Sequence, residues 1–208
     1  MIRNIIFDLG NVIMQNPTID LVKQFFKDEK DAEIFNDFIF KSEYWKKLDL
    51  GQIDNETVAN EIEEKRLVEV SNYKEVHEFM NNWFSKCIPN VETMELGKRL
   101  KEKGYNLFIL SNMANATFEY FSKAYDFFSI VDGNIVSAKV GIKKPDRKIF
   151  DILLERYSLN AEECLLIDDD DTNRTFETAN AIGIKGRSVL PNDVEDVIKE
   201  LKEYEVDI

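Results

Sequence analysis

The stretch Asn4–Val12 reads NIIFDLGNV, a short apolar run that ends on a carboxylate. Three further segments also read as short buried strands: Asn106–Ser111, Cys164–Asp168 and Ile184–Arg187. Continuous apolar runs suit parallel strands that are covered on both faces of a sheet. Within the quoted stretch, Asn4–Asp8 is therefore the predicted first strand of a parallel sheet.

Helical patterns with recognisable ends separate the later strands. The predicted helices are Val91–Lys103, Asp146–Tyr157, Thr172–Ile182 and Asn192–Tyr204. The first and third stop at a glycine, and the second and fourth follow a proline, as helix ends and starts commonly do. Strands that alternate with helices predict an α/β fold built on a parallel sheet.

A long stretch from about Gln15 to Cys87 separates the first two strands, although a crossover helix needs far fewer residues. It reads as five amphipathic helices: Thr18–Phe26, Asp31–Phe40, Ser42–Leu48, Asn55–Arg66 and Asn72–Lys86. We therefore predict a core made of residues 1–14 and 88–208. Residues 15–87 form a helical insertion placed directly after the first strand.

The charge balance limits the partners that we expect. The 208 residues include 40 acidic and 27 basic side chains, which gives a net charge of −13. A surface of that charge repels nucleic acid and anionic membrane faces, so neither is an expected partner. The same field repels a phosphate ester, so a phosphate site would need compensation from a cation, a lysine or backbone N–H groups.

The two cysteines and the N-terminus carry little functional signal. Cys87 and Cys164 are far apart and form no CxxC pair, so no zinc or redox motif is visible. The N-terminus has no long apolar segment, and no stretch approaches the length of a membrane span. We therefore expect a cytoplasmic protein.

Polar side chains follow the predicted strands at one edge of the sheet, because the carboxyl ends of parallel strands lie together there. They are Asp8, Ser111, Asn112, Lys143, Lys144, Asp168 and Asp169. Consecutive carboxylates repel one another unless they are solvated or hold a cation, and carboxylates from two strand ends suit octahedral Mg²⁺. A carboxylate beside that metal can attack phosphorus, while a lysine, a hydroxyl and backbone N–H groups hold the phosphoryl oxygens.

Each of these residues also has an ordinary structural interpretation. An Asp at a strand end commonly caps a helix or forms a turn, and a KKP sequence is commonly a solvated loop. The functional interpretation rests on the order of the residues and on their placement along one edge of one sheet.

Four segments, in order, resemble the motifs of the haloacid dehalogenase superfamily and together span the whole chain. They are IIFDLGNV from Ile5, LFILSN from Leu107, GIKKPDRKIF from Gly141 and LLIDDDDTN from Leu165, the last with a DDxxxN pattern at Asp168, Asp169 and Asn173. The resemblance implies a Rossmann-like core. It also implies that the helical insertion is a cap that closes over small substrates.

The same resemblance implies a site, a cofactor and an activity. Asp8 is then the nucleophile, and Ser111, Asn112 and Lys144 bind phosphate. The implied cofactor is Mg²⁺, held by the Asp8 side chain, the Gly10 backbone carbonyl and Asp169, with Asp168 nearby or acting through water. The implied activity is a Mg²⁺-dependent phosphatase that acts on a small phosphorylated metabolite through an aspartyl-phosphate on Asp8.

The cap gives a weaker indication of the substrate. The stretch GQIDNETV from Gly51 is similar to a cap turn in the branch that contains sugar-phosphate phosphatases and the phosphatase domain of soluble epoxide hydrolases. Sugar phosphates are therefore one candidate substrate class. Within the cap, Tyr44, Trp45 and Lys46 are the predicted substrate contacts. The sequence predicts no oligomeric state.

Gly10 departs from the superfamily pattern, in which most phosphatases carry a second Asp two residues after the nucleophile. That Asp donates a proton to the leaving alcohol and then activates water, and such help is typically worth about 10²–10⁴-fold in rate. The FDLGNV form also resembles the glucose-1-phosphate phosphatase-like branch, so the glycine is compatible with activity. Two alternatives stay open: a non-hydrolytic or regulatory protein that binds a phosphorylated ligand, and a metal-independent 2-haloacid dehalogenase, against which the Asp168–Asp169 pair argues.

Overall fold

The centre of the computed structural model, which describes all residues from 1 to 208, is a parallel sheet of four strands in the order β3-β2-β1-β4. The strands are β1 Asn4–Phe7, β2 Asn106–Ser111, β3 Gly133–Val136 and β4 Cys164–Ile167. All neighbouring strands pair in parallel. The predicted α/β fold with a parallel sheet is confirmed.

Two details of the sheet differ from the prediction. The edge strand β3 has no counterpart among the predicted strands, because Gly133 and Asn134 occupy half of its four positions and are poor strand formers. The predicted strand Ile184–Arg187 is wrong as a continuous element, since only isolated parallel bridges at Lys185 and Ser188 join it to the end of the sheet. Gly186 lies between these bridges with a φ of +139°, which interrupts the extended backbone.

Eleven α-helices surround the sheet. Six of them lie between β1 and β2, and the first five of these fall within the stretch that the sequence predicts to be a helical insertion. Those five are α1 Ile19–Lys23, α2 Glu29–Ile39, α3 Glu43–Asp49, α4 Asn55–Glu64 and α5 Tyr73–Asn82. The other six are α6 Val91–Glu102, α7 Asn115–Ala124, α8 Ser137–Val140, α9 Arg147–Tyr157, α10 Arg174–Ala181 and α11 Val194–Glu203. None of these helices has the length and apolar character needed to span a membrane.

The strands alternate their side chains between two apolar layers. Phe7 and Leu107 pack in a cluster with α6, α11 and the inserted helices. Ile6 and Phe108 point to the opposite face and pack in a second cluster with α9 and α10. Both faces of the sheet are therefore covered, which explains why the strand sequences are apolar without alternation.

The five inserted helices, α1 to α5, have an aromatic interior. The Phe79 ring lies 5.4 Å from Phe25 and 5.1 Å from Phe35, measured between ring centroids. The two connections to the sheet run side by side, because the Gln15 N–H donates to the Ile88 carbonyl at 2.8 Å. A segment that leaves and re-enters at one place is typical of an insertion, and the division at residues 14/15 and 87/88 stays a prediction.

The C-terminal end of α3 is fixed against the loops that follow the strands. Gly51 has a left-handed φ of +65°, and a Cβ at this position would lie 2.2 Å from the Ala138 carbonyl oxygen in α8. The Ser137 hydroxyl donates to the Asp49 carbonyl and accepts from the Met113 N–H at 2.9 Å. Only glycine permits so close a backbone approach, so the turn after α3 is held beside the ends of β2 and β3.

Candidate active site

The register of the sheet brings Asp8 and Asp168 together. Phe7 pairs with Ile167, and the residue after each strand end is an aspartate. The Asp8 N–H donates to the Ile167 carbonyl at 2.8 Å, so the pairing continues to the carboxylates themselves. Both side chains are buried, with Asp8 8% and Asp168 3% exposed. Two buried carboxylates side by side require a nearby cation.

Lys144 supplies one positive charge. Its Nζ lies 3.0 Å from Asp8 Oδ1 and 2.5 Å from Asp168 Oδ2, and the residue is 6% exposed. Asn112 holds the lysine backbone in place, because its side chain accepts from the Lys144 N–H at 2.8 Å and donates to the Lys144 carbonyl at 3.0 Å. The loop that carries Lys144 is thus tied to the end of β2.

Burial and charge shift the pKa values of this cluster in opposite directions. Burial raises the pKa of Asp8 from 3.8 to about 6, although the Lys144 ammonium lowers it, and the charge of Asp168 raises it further. Burial lowers the pKa of Lys144, but Asp168 and Asp8 outweigh that effect and hold its pKa above the usual value. Lys144 therefore stays charged, and most of Asp8 is ionised at neutral pH.

The loop after β4 adds a third carboxylate. Asp169 accepts a hydrogen bond from the Asn11 side chain at 2.8 Å, and Asn11 has a left-handed φ of 52° in the turn that follows β1. The Asp170 side chain accepts from the backbone N–H groups of Thr172 and Thr175. These bonds shape the loop so that Asp169 faces back toward β1.

The carboxylate cluster is suited to a divalent cation. Ligand oxygens of Asp8, Asp168 and Asp169 all lie within 4.8 Å of one another. Asp8 Oδ1 is buried, and its one close cationic neighbour is Lys144 Nζ at 3.0 Å. Three carboxylates face one ammonium, so the cluster has an excess of negative charge that one divalent cation would balance. A metal-ligand role for the Gly10 carbonyl stays a prediction.

Two cavities adjoin this cluster and share Asn112. The first, of about 260 Å³, has mostly polar and charged residues in its wall: Asp8, Asn112, Lys144, Pro145, Asp168, Asp169, Asp170, Thr172, Arg174 and Thr175. The second, of about 340 Å³, is partly aromatic and is lined by Asn16, Pro17, Phe40, Trp45, Leu48, Asp49, Asn55, Trp83, Asn112, Met113, Ala114 and Thr117. A ligand with a small anionic group and a larger apolar part would fill both.

The structure places one of the three predicted cap contacts at this second cavity. Trp45 lines it, whereas the Tyr44 hydroxyl donates to Glu61 at 2.8 Å and Lys46 pairs with Glu43 on the exposed side of α3. Three consecutive helical residues point in three directions, so they cannot all face one ligand. The residues that share the Trp45 face are one turn further along.

Those residues are Leu48 and Asp49, and the sequence analysis did not identify them. Asp49 lies four residues after Trp45, and both line the aromatic cavity. Its side chain is 16% exposed and lies 3.9 Å from Lys143 Nζ. Helical i, i+4 spacing from Trp45 is the signal that would have found it. Ser111, predicted to bind phosphate, lies at the end of β2 with 1% exposure.

Comparison with known proteins gives one family and several relatives. The sequence model of the haloacid dehalogenase-like hydrolases matches residues 2–176. The chain is 24% identical over 182 residues to a sesquiterpene phosphatase of Aspergillus oryzae, covering 87% of this chain and 86% of the relative.

Solved structures with the same fold cover almost the whole chain. A HAD family enzyme of Bacteroides thetaiotaomicron has a TM-score of 0.76 at 19% identity, covering 96% of this chain and 98% of that one. In complex with magnesium and inorganic phosphate it has a TM-score of 0.74 at 20% identity, with coverage of 93% and 96%. A HAD-like hydrolase of Porphyromonas gingivalis has a TM-score of 0.72 at 21% identity, with coverage of 96% and 99%. At sequence identities this low, these structural matches show that the fold is shared and nothing more specific.

Proposed function

Because the chain belongs to the haloacid dehalogenase-like hydrolase family, we propose that it is a Mg²⁺-dependent phosphatase that hydrolyses small phosphate monoesters. The observation that carries this proposal is the buried set of Asp8, Asp168 and Asp169 beside Lys144 at the ends of β1 and β4. Such a set combines an ionised nucleophile, a fixed cation and room for a metal. Those are the parts that transfer of a phosphoryl group requires.

The proposed metal ligands are Asp8, Asp169 and the Gly10 carbonyl, with Asp168 beside them. Bound Mg²⁺ would supply positive charge that offsets the repulsion between the carboxylates and an anionic ester. Asp168 has a second task, since its Oδ2 lies 2.5 Å from Lys144 Nζ and its Oδ1 accepts from the Asp170 N–H at 3.0 Å. It fixes the lysine and the metal loop at the same time.

In the proposed reaction an Asp8 carboxylate oxygen attacks phosphorus, and the bond to the leaving oxygen breaks. Water then attacks the phosphorus of the aspartyl-phosphate and regenerates Asp8. Lys144, Ser111 and Asn112 are proposed to orient the phosphoryl oxygens during both steps. Asn112 does so through the hydrogen bonds with which it holds the Lys144 backbone.

The second cavity bears on the substrate. Phe40, Trp45 and Trp83 give it apolar walls, whereas Asn16 and Asn55 offer hydrogen-bonding groups. A leaving group with one apolar face and a few hydroxyls is compatible with that lining, which keeps sugar phosphates as a candidate class. The Aspergillus relative is named a sesquiterpene phosphatase, so phosphates of apolar alcohols are a second class to be tested.

The test is phosphate release from a panel of sugar, aromatic and isoprenoid phosphates, with Mg²⁺ and with excess chelator. We expect release that needs Mg²⁺ and that returns when Mg²⁺ is restored after chelation. No release from any ester, together with measurable Mg²⁺ binding, would favour the non-hydrolytic alternative that Gly10 motivates. Halide release from a 2-haloacid that survives chelation would overturn the metal-dependent assignment.

A further inference from the structure

A leaving alcohol needs a proton, and the carboxylates beside Lys144 are poorly placed to give one. Asp8 is the nucleophile, and Asp168 and Asp169 accept hydrogen bonds and face the proposed metal. Gly10 has no side chain, so this turn provides no acid at the position two residues after Asp8. A side chain that donates this proton therefore has to lie on another element.

We propose that Asp49, at the end of α3, is the general acid that protonates the leaving alcohol and the general base that then activates water. This inference rests on the proposed function, because it assigns a further role at the same site. It makes the inserted helices part of the chemistry, in addition to the substrate contacts that the sequence predicts for them.

The position of Asp49 fits this role. It is the one titratable side chain among the residues that line the aromatic cavity, and that cavity meets the phosphate side of the site at Asn112. The leaving group of a bound ester would lie where the aromatic cavity meets the phosphate side of the site. Thr117, in the first turn of α7, lines the same cavity.

The backbone of Asp49 is held firmly enough for proton transfer. Its carbonyl accepts from the Ser137 hydroxyl, which in turn accepts from the Met113 N–H at the end of β2. Two residues later, Gly51 lies directly against the Ala138 carbonyl. General acid catalysis requires a group within hydrogen-bonding reach of the reacting oxygen, and anchoring from two sides limits drift away from it.

The surroundings of Asp49 keep it able both to hold and to release a proton. Burial raises its pKa from 3.8 to about 7, the Lys143 ammonium at 3.9 Å lowers it, and the charge of Asp8 raises it. On its own helix, Glu43 and Lys46 pair with each other on the exposed side. A carboxyl group that titrates near neutral pH suits both halves of an acid–base cycle.

The proposed cycle has two steps, and Asp49 gives up a proton in the first and recovers one in the second. As Asp8 bonds to phosphorus, the bond from phosphorus to the leaving oxygen breaks, and the Asp49 O–H proton passes to that oxygen to give a neutral alcohol. Asp49 is then a carboxylate. It takes a proton from water as the water oxygen bonds to phosphorus, and the bond to Asp8 breaks. Inorganic phosphate, ionised Asp8 and protonated Asp49 result.

The test compares the wild-type enzyme with Asp49→Asn on phosphate esters of graded leaving groups, from nitrophenol through phenol to primary alcohols. We expect the first turnover of alkyl esters to slow by about 10²–10⁴-fold, whereas that of nitrophenyl phosphate changes less than about tenfold, because nitrophenolate leaves without a proton. Later turnovers of nitrophenyl phosphate should slow as well, since hydrolysis of the aspartyl-phosphate has lost its base. The expected signature is a burst of one nitrophenolate per site.

Glu43→Gln is the matched control, because it removes a carboxylate from the exposed side of the same helix. It should keep the wild-type rates and show no burst. An equal loss for every leaving group in Asp49→Asn, with no burst, would overturn the proposal. If Asp49→Asn does not fold, the wild-type series decides: a steep fall in the first-turnover rate with leaving-group basicity means that no acid assists.

Phosphate release by the wild-type enzyme distinguishes failure of the proposed function from failure of the role of Asp49. A wild-type enzyme that releases no phosphate from any ester overturns the phosphatase and the role of Asp49 with it. A wild-type enzyme that turns over, beside an Asp49→Asn variant that matches it on alkyl esters, overturns the role of Asp49 alone.

Discussion

Asp8 faces two opposing requirements, because a buried carboxylate destabilises the fold while a nucleophile must be ionised. We predict that Asp8→Asn abolishes turnover and, without Mg²⁺, makes the protein more stable. The folded pKa of about 6 lies above the ordinary 3.8, so ionisation costs stability as pH rises through this window. The variant should therefore have a higher free energy of unfolding than the wild type, by about 1–3 kcal/mol at a pH above the folded pKa of Asp8. The difference should disappear at a pH below the ordinary pKa of an aspartate.

Urea unfolding in chelator at about pH 5 and about pH 8 measures this difference, with the larger gain expected at the higher pH. Added Mg²⁺ should stabilise the wild type more than the variant and so reduce the gap. A variant that is less stable than the wild type at the higher pH would contradict the account of Asp8. A variant that keeps near-normal turnover would remove Asp8 as the nucleophile.

How far the sequence predicts individual site residues depends on what fixes them. Asp8 and Asp168 follow from their strands, because parallel pairing puts the carboxyl ends of neighbouring strands side by side. The ion pairs of Lys144 and its hydrogen bonds with Asn112 depend on loop geometry that no local pattern encodes. Asp49 depends on the packing of α3 against α8, which lies even further from local sequence.

At the scale of elements, the contact between the turn after α3 and helix α8 should determine how precisely the inserted helices place Asp49 at the site. We predict that Gly51→Ala destabilises the protein by more than about 2 kcal/mol. A left-handed backbone costs alanine about 1–2 kcal/mol, and the new Cβ would also clash with Ala138 O at 2.2 Å. Phosphate release should fall as well, because Asp49 moves with the turn and misplacement of about 1 Å can cost about 10²-fold.

Gly141→Ala is the matched comparison. Gly141 has a similar φ of +70°, but a Cβ there would meet nothing within 4 Å. It should cost about 1 kcal/mol in urea unfolding and leave phosphate release largely intact. Equal losses in the two variants would mean that backbone strain, and not contact with α8, explains the effect at Gly51.

The elements themselves were predictable wherever local pattern and tertiary packing agree. The inserted helices carry apolar periodicity, and four of the five have side-chain caps, such as Asp28 and Asp54, that mark their starts. Strand β3 carries no such pattern, because its Gly133 is selected by contact with the Tyr157 ring, where a Cβ would come within 2.2 Å. Gly186 likewise interrupts the predicted strand for a tertiary reason, its approach to the Leu166 carbonyl.

The molecule as a whole has a net charge of −13, yet we propose that it binds an anionic ester. The local positive groups, Lys143, Lys144 and a bound metal, act over a few ångströms, whereas the overall negative field acts at longer range. Screening therefore affects the two unequally, because the Debye length is about 10 Å at 0.1 M salt. Salt should weaken the distant repulsion more than the contacts within the site.

We therefore predict that kcat/KM for a phosphate ester rises as inert salt increases from low ionic strength to about 0.15 M, at saturating Mg²⁺. The value of kcat should change little, because the bound substrate is already inside the site. Steady-state rates at a series of salt concentrations measure both constants, and a second salt with a different anion controls for competition by the anion. A fall in kcat/KM with both salts would mean that the positive groups of the site, and not the net charge, govern the approach of the substrate.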